Sequence, residues 1–240
     1  MTDFTKDSLF GGRLHVRQPR SGYRFSMDAV ALAGLADMAA GDRVLDLGTG
    51  CGIIPLMLAF RYPGITVYGV EIQKNQADLA AENVADNRLE NRVTILHQDI
   101  KTLTPSQTFG AVDMVVCNPP HIEKSRGRIN PNNQAAISRH EIKITLKELI
   151  RVSEQMLAPM GKLLIIFPCQ RLADLMEQMR ICAIEPKEMH IIYTKADAIA
   201  KRVLLKGVKG GGTGLKINPP FIIHNADGTY TAAAQQIFGH

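Results

Sequence analysis

The apolar run Val112 to Cys117 stops abruptly at Asn118-Pro119-Pro120-His121. A strand that ends in an amide and two prolines has a stiff corner, because proline fixes its own backbone and donates nothing to a ladder. Such a corner aims the Asn118 side chain and the Pro119 carbonyl at one spot, and both carry acceptor oxygens. Two converging acceptors suit a planar amino group, such as the exocyclic N6 of adenine. Hydrogen bonds to its two N–H groups favour a pyramidal nitrogen and free the lone pair for attack. That is catalysis by positioning and preorganised electrostatics, without a strong base. Taken alone, Asn-Pro-Pro is also an ordinary strand-ending turn, so its neighbours decide its meaning.

Those neighbours are a glycine loop and three acids. "DLGTGCG", residues 46–52, follows a strand pattern and opens a helix pattern, with glycines at Gly48, Gly50 and Gly52. Glycine lets a ligand approach the backbone, and a helix start offers free N–H groups. The spacing is G-x-G-x-G, whereas a dinucleotide fingerprint needs G-x-G-x-x-G. Asp46, just before the loop, would repel a pyrophosphate. It suits a cationic ligand, and S-adenosylmethionine carries both a sulfonium and an ammonium group. Glu71 ends the next strand, where a carboxylate can accept both ribose hydroxyls; NAD would use that position equally well. Asp99 ends the third strand and suits the adenine amino group, although an acid capping a turn would look the same. Three acids at three consecutive strand ends favour the adenosyl cofactor. Cys117, a nucleophile type in some pyrimidine-carbon methylation, sits inside the apolar run and reads as a small buried filler. His140-Glu141 is too short a cluster for a metal, and there is no H-E-x-x-H.

These residues need elements to hold them, and the chain alternates strand and helix signals. Strands are expected at 43–50, 65–72, 92–100, 111–118 and 161–168, and helices at 52–62, 73–87 and 171–181. A further helix covers much of 137–158. This βαβ rhythm predicts a doubly wound, mostly parallel sheet with helices on both faces. Continuous apolar runs fit parallel strands buried on both sides. "MHIIYT" and "KRVLLKGVKGG" have no convincing helix between them, so they are expected to form an antiparallel C-terminal edge. Residues 1–40 read as an extended lead-in followed by the helix "SMDAVALAGLADMA", and 41–240 as the main domain, in a single structural unit.

Bulk properties bound the function. The 240 residues carry 28 Lys and Arg against 23 Asp and Glu, a net charge of +5, which favours an anionic partner weakly. Basic residues cluster at Arg13, Arg17, Arg20 and Arg24, at Lys124, Arg126 and Arg128, and at Lys201, Arg202, Lys206, Lys209 and Lys216. No apolar run approaches the roughly 18 residues of a membrane span. "MTDFTKDSLFGGR" lacks the basic-then-apolar layout of a secretory signal. The 4 cysteines form no C-x-x-C pair, so reduced thiols and no metal are expected, in the cytoplasm.

"VLDLGTGCGIIPL", "VEIQ" and "NPPH" together resemble the class I S-adenosylmethionine-dependent methyltransferases that act on amino groups, whose usual motif is Asn-Pro-Pro-Tyr. More narrowly, "QPRSGYRFSMDAVALA" (18–33), "GRINPNNQAAISRHEIKITLKELI" (127–150) and "KGGGTGLKINPP" (209–220) resemble the bacterial tRNA1(Val) adenine-N6 methyltransferase family, from about Leu9 to the end. The resemblance implies a Rossmann-like, seven-stranded sheet and methylation of an adenine beside the anticodon of a valine tRNA. It assigns Asp46, Gly48, Gly50 and Gly52 to the cofactor loop, Glu71 to the ribose, and Asp99 with Ile100 to the adenine. Tyr23, Arg24 and Phe25 match the lead-in over the cofactor pocket; packing of the aromatic pair on the core would place them there too. Asn118 and Pro119 match the catalytic pair, followed by Pro120. The family usually has Tyr or Phe at position 121, and this chain has His121. That side chain is expected to stack on the target base, a contact worth roughly 1–3 kcal/mol in comparable pairs. Lys124, Arg126, Arg128, Lys206, Lys209 and Lys216 are expected to grip RNA phosphates.

Other readings stay open at this point. The same chemistry could serve a protein glutamine amide or another nucleic acid, but no separate N-terminal helical domain offers a protein-binding module. A non-catalytic RNA-binding module would not need Asp46, Glu71 and Asn118. A nicotinamide oxidoreductase would bind NAD in place of S-adenosylmethionine.

Overall fold

The computed structural model describes residues 4–20, 24–119 and 144–238. The chain enters through an antiparallel hairpin, β1 (Phe4–Leu9) and β2 (Leu14–Pro19), followed by α1 (Met27–Leu35). Then come β3 (Arg43–Leu47), α2 (Ile53–Arg61), β4 (Thr66–Glu71), α3 (Lys74–Asp86), β5 (Val93–His97) and β6 (Val112–Cys117). After these lie α4 (Leu146–Met156), β7 (Leu157–Pro168), α5 (Leu172–Ile181), β8 (Ile184–Tyr193) and β9 (Arg202–Lys209). Two short strands, β10 (Lys216–Ile217) and β11 (Phe221–Ile222), and α6 (Ala232–Phe238) complete it.

The main sheet runs β10-β8-β9-β7-β6-β3-β4-β5, with β11 also on β8. β3, β4, β5, β6 and β7 pair in parallel, as the buried apolar runs predict. The chain first builds outward from β3 through β4 to β5, then resumes on the other side of β3 with β6. That reversal makes a switch point between β3 and β6, where ligands bind beyond the carboxyl ends of the strands in such sheets.

The expected antiparallel strand is present but is not an edge. β9 pairs antiparallel with both β7 and β8, and β10 and β11 add to the far side of β8. Its consecutive residues Val203, Leu204 and Leu205 are at most 1% exposed, which only an interior strand achieves. The short return from β8 forces the antiparallel direction; apolar residues on both faces set the interior place.

Apolar helix faces bury against both sides of the sheet. One core gathers side chains of α1, α2, α3 and α6, among them Leu32, Leu56, Met57 and Phe238. The other gathers α4 and α5, with Leu149, Ile150, Met156, Leu175 and Met179. A capping box opens α4, where Thr145 and Glu148 exchange side-chain-to-backbone bonds.

α1 is held at both ends. Its C-terminal carbonyls are taken by Arg61, whose Nη1 donates to Ala33 at 2.6 Å and Gly34 at 2.5 Å, and by the Tyr62 hydroxyl, which donates to Ala36 at 2.5 Å. The helix therefore stops at Leu35, earlier than its composition suggests, and Ala36 turns extended with ψ 145°. Near its start, Asp28 pairs with Arg202 of β9 at 2.7 Å. Against α6 the approach is close: a Cβ on Gly34 would lie 1.9 Å from the Ile237 side chain.

The lead-in is a hairpin and not merely extended chain. Two asparagines one helical turn apart, Asn83 on α3 and Asn87 at its C-cap, bind the outer backbone of β2. Asn83 accepts from Arg17 N–H at 2.8 Å and donates to Arg17 O at 2.9 Å; Asn87 does the same for His15 at 2.9 and 2.6 Å. Asn83 also donates to Cys51 O at 2.9 Å, which ties the hairpin, α3 and the glycine loop together. Among the described residues no helix is long and apolar enough to cross a membrane, and no group of three metal-ligating side chains gathers. The four cysteines are free.

Candidate active site

The glycine loop is pinned from β4. Gly48 and Thr49 both donate to Val70 O at 2.9 Å. The Gly50 N–H donates to Glu71 Oε2 at 2.9 Å, while Gln73 N–H donates to Oε1 at 2.9 Å. Glu71 is only 4% exposed, so it braces the loop as well as ending the strand assigned to the ribose. Gly48, Gly50 and Gly52 all have positive φ. Gly52, at φ 86°, caps α2 without a side chain, and a Cβ there would stand 3.2 Å from Ala80. Only glycine turns the chain here while letting α3 lie so close.

Asp46 lies beneath this loop, fully buried, and neither carboxylate oxygen has a hydrogen-bond partner. The Thr49 hydroxyl is buried and unpartnered beside it. Burial, reinforced by the Glu71 charge, pushes the Asp46 carboxyl up to about 7; the Thr49 hydroxyl opposes this from outside hydrogen-bonding geometry. A buried carboxylate without partners is costly unless a cation or donor complements it. The donor set fits S-adenosylmethionine, whose ammonium group supplies both a positive charge and N–H donors.

Asn118 stands next to the loop across the switch point. Asp46 is level with Val116 in the ladder, so Asn118 comes two residues further on, beside Gly48. Asn118 and Pro119 are half-buried. The Asn118 Nδ2 donates to the Ser26 hydroxyl at 3.2 Å, and among the described residues nothing donates to Oδ1. The amide is thus turned with its donor tied off and its acceptor open. Cys117, one residue earlier, is fully buried with its thiol 3.3 Å from Leu47 O, and burial pushes that thiol well above its ordinary range. It is a core residue.

Asp99 caps the short turn Ile100–Thr102, accepting from Lys101 N–H at 2.9 Å, and Ile100 packs against the second core. Arg24 pairs with Asp7 at 3.2 Å and donates to Thr5 Oγ1 at 2.8 Å. Phe25 packs on the first core, and its N–H donates to Gln18 Oε1 at 3.1 Å. Tyr23, Pro120, His121, Lys124, Arg126 and Arg128 lie outside the described residues.

Two of the late lysines are engaged within the chain. Lys206 pairs with Glu188, which Asn218 also contacts at 2.7 Å. Lys209 donates to Glu154 O and Leu157 O at 2.7 and 2.9 Å, at the end of the sheet opposite Asn118. Lys216 is exposed on β10. Counting late basic residues cannot reveal these partners, since an ion pair across strands has no local signature.

Acid-bearing strand ends and a glycine loop at the switch point of this sheet, with an antiparallel strand inserted beside β7, define a class I S-adenosylmethionine-dependent methyltransferase. The family model described as Methyltransferase small domain matches residues 27–180. The chain is 33% identical over 220 residues to the tRNA1(Val) (adenine(37)-N6)-methyltransferase of Porphyromonas gingivalis, covering 87% of this chain and 84% of that one. It is 29% identical over 225 residues to the enzyme of the same name from Aeromonas hydrophila, covering 91% and 90%. A crystal structure of a predicted O-methyltransferase from Agrobacterium tumefaciens shares the fold, with a TM-score of 0.69 at 21% identity, covering 89% of this chain and 98% of that one. The chain belongs to the tRNA1(Val) (adenine(37)-N6)-methyltransferase family.

Proposed function

We propose that this methyltransferase acts on the N6 amino group of an adenine in tRNA, the adenine beside the anticodon of a valine tRNA. The names of its relatives support that address. The observation that carries the chemistry is the Asn118 amide, its nitrogen bound to Ser26 and its oxygen open, next to the loop above the unpartnered Asp46. S-adenosylmethionine, when bound, supplies a methyl group on a cationic sulfur.

The chain supplies the rest by placement. Asn118 Oδ1 and the Pro119 carbonyl accept the two N–H bonds of the target amino group. That pulls the nitrogen towards a pyramidal form and localises its lone pair. Asp46 and Thr49 meet the cofactor's donors, Glu71 its ribose and Asp99 its adenine. The target base is reached by extrusion from a loop and read outside the helix stack. His121 stacks on it in place of the family's tyrosine, and Lys124, Arg126, Arg128 and Lys216 hold phosphates. A tRNA substrate sets the reaction in the cytoplasm.

Incubation with methyl-labelled S-adenosylmethionine and unmodified bulk tRNA, followed by nucleoside digestion, tests this. Label should appear in N6-methyladenosine and be abolished by Asn118→Ala. Label confined to co-purifying protein would assign the enzyme to an amide substrate instead.

A further inference from the structure

We propose that Ser26 is a positioning residue for methyl transfer, holding the Asn118 amide by its nitrogen while Oδ1 stays open to the substrate. This rests on the reading of Asn118 as the group that holds the target amino nitrogen. An amide has two faces of similar shape and opposite polarity: Oδ1 accepts, Nδ2 donates. If the side chain rotated by half a turn, a substrate N–H would meet another N–H. The corner formed by Asn118 and Pro119 fixes where the side chain points, but not which end of the amide faces inward. Ser26 meets the outer end. Its hydroxyl oxygen accepts from Asn118 Nδ2 at 3.2 Å, across 92 residues of sequence, and leaves Oδ1 open.

The hydroxyl is itself held. Ser26 is the N-cap of α1, and the same oxygen accepts from Ala29 N–H at 3.4 Å. The oxygen thus accepts from two N–H donors, one from the helix and one from the amide. α1 in turn is anchored to β9 by Asp28–Arg202, and its last carbonyls are bound by Arg61 and Tyr62. The close contact between Gly34 and Ile237 of α6 leaves it no room to slide. A short helix fixed at both ends thus delivers one hydroxyl to one amide.

Helix capping alone makes a different prediction from amide positioning. Glycine is nearly as good an N-cap as serine, costing only a few tenths of a kcal/mol, but has no hydroxyl to meet Asn118. The Ser26→Gly protein should keep its melting temperature and its affinity for S-adenosylhomocysteine. Its kcat on tRNA should fall about 10- to 100-fold, with KM for tRNA changed by less than about twofold, as expected when a group is misplaced but not removed. Ser26→Thr keeps the hydroxyl and should stay near wild type. Equal kcat for Ser26→Gly and wild type would overturn the proposal. So would a Ser26→Gly loss shared by Ser26→Thr, or one matched by weakened cofactor binding or a lowered melting temperature. A wild-type protein that transfers no methyl to tRNA would overturn the functional reading, and this one with it.

Discussion

Asp46 is a buried acid whose charge depends on pH near neutrality. With its carboxyl raised from 3.8 to about 7 by burial, it holds between those pH values a proton that an unfolded chain would release. The sign follows from that: stability from this group is fully present below pH 4 and is lost as pH rises through about 7, by about 4 kcal/mol at most. Ligand binding runs the other way, because an ammonium group is complemented only by the ionised carboxylate. Calorimetric titration with S-adenosylhomocysteine should show affinity rising as pH passes from 6 to 8, with Asp46→Asn weaker throughout and flat with pH. At position 121, His121→Tyr should keep or raise turnover, measured by label transfer to tRNA, since tyrosine offers a larger stacking face; a variant without turnover would rule out stacking as the histidine's role. The chemistry-bearing residue types were readable in the sequence because each follows a strand pattern, and strand ends are where a doubly wound sheet places its ligands. The Ser26–Asn118 bond was not, since no periodicity links residues from different elements 92 positions apart.

The elements that carry the site are bound by polar ties as much as by apolar faces. Asn83 is fully buried and makes three hydrogen bonds, to both backbone groups of Arg17 and to Cys51 O. Asn83→Ala leaves these groups unsatisfied and should cost roughly 2–4 kcal/mol in urea unfolding. The same change should weaken cofactor binding, because the tie to Cys51 ends in the glycine loop. A variant of unchanged midpoint would mean the hairpin does not depend on α3. The parallel strands and their crossover helices were legible because apolar runs and 3.6-residue patterns are local. The β1–β2 hairpin was not, as its outer edge is satisfied by side chains of α3 in place of a strand ladder. α6 is seven residues long and is fixed by packing on α1, which composition does not announce. β9 was recognisable as a strand running antiparallel. Its interior position depended on which side of β7 remained open, and that is a property of the whole sheet.

Over the whole molecule, a net charge of +5 draws RNA only weakly, so the placement of the charge matters more than the sum. Lys206 and Lys209 are committed to Glu188 and Glu154. Lys206→Ala should therefore lower stability by about 1–2 kcal/mol and leave KM for tRNA unchanged. Lys216→Ala should raise KM and flatten its dependence on salt, with thermal melting and steady-state kinetics separating the two effects. The proposed acceptors, Asn118 Oδ1 and the Pro119 carbonyl, follow β6 beside the switch point of the sheet. The amino group they are proposed to hold is that of the adenine beside the anticodon. Two valine tRNA transcripts that differ only in carrying adenine or guanine at that position test it directly. Methyl label should enter the adenine transcript as N6-methyladenosine and not enter the guanine one. Equal labelling of both, or labelling of neither by an enzyme that binds S-adenosylhomocysteine, would contradict the account.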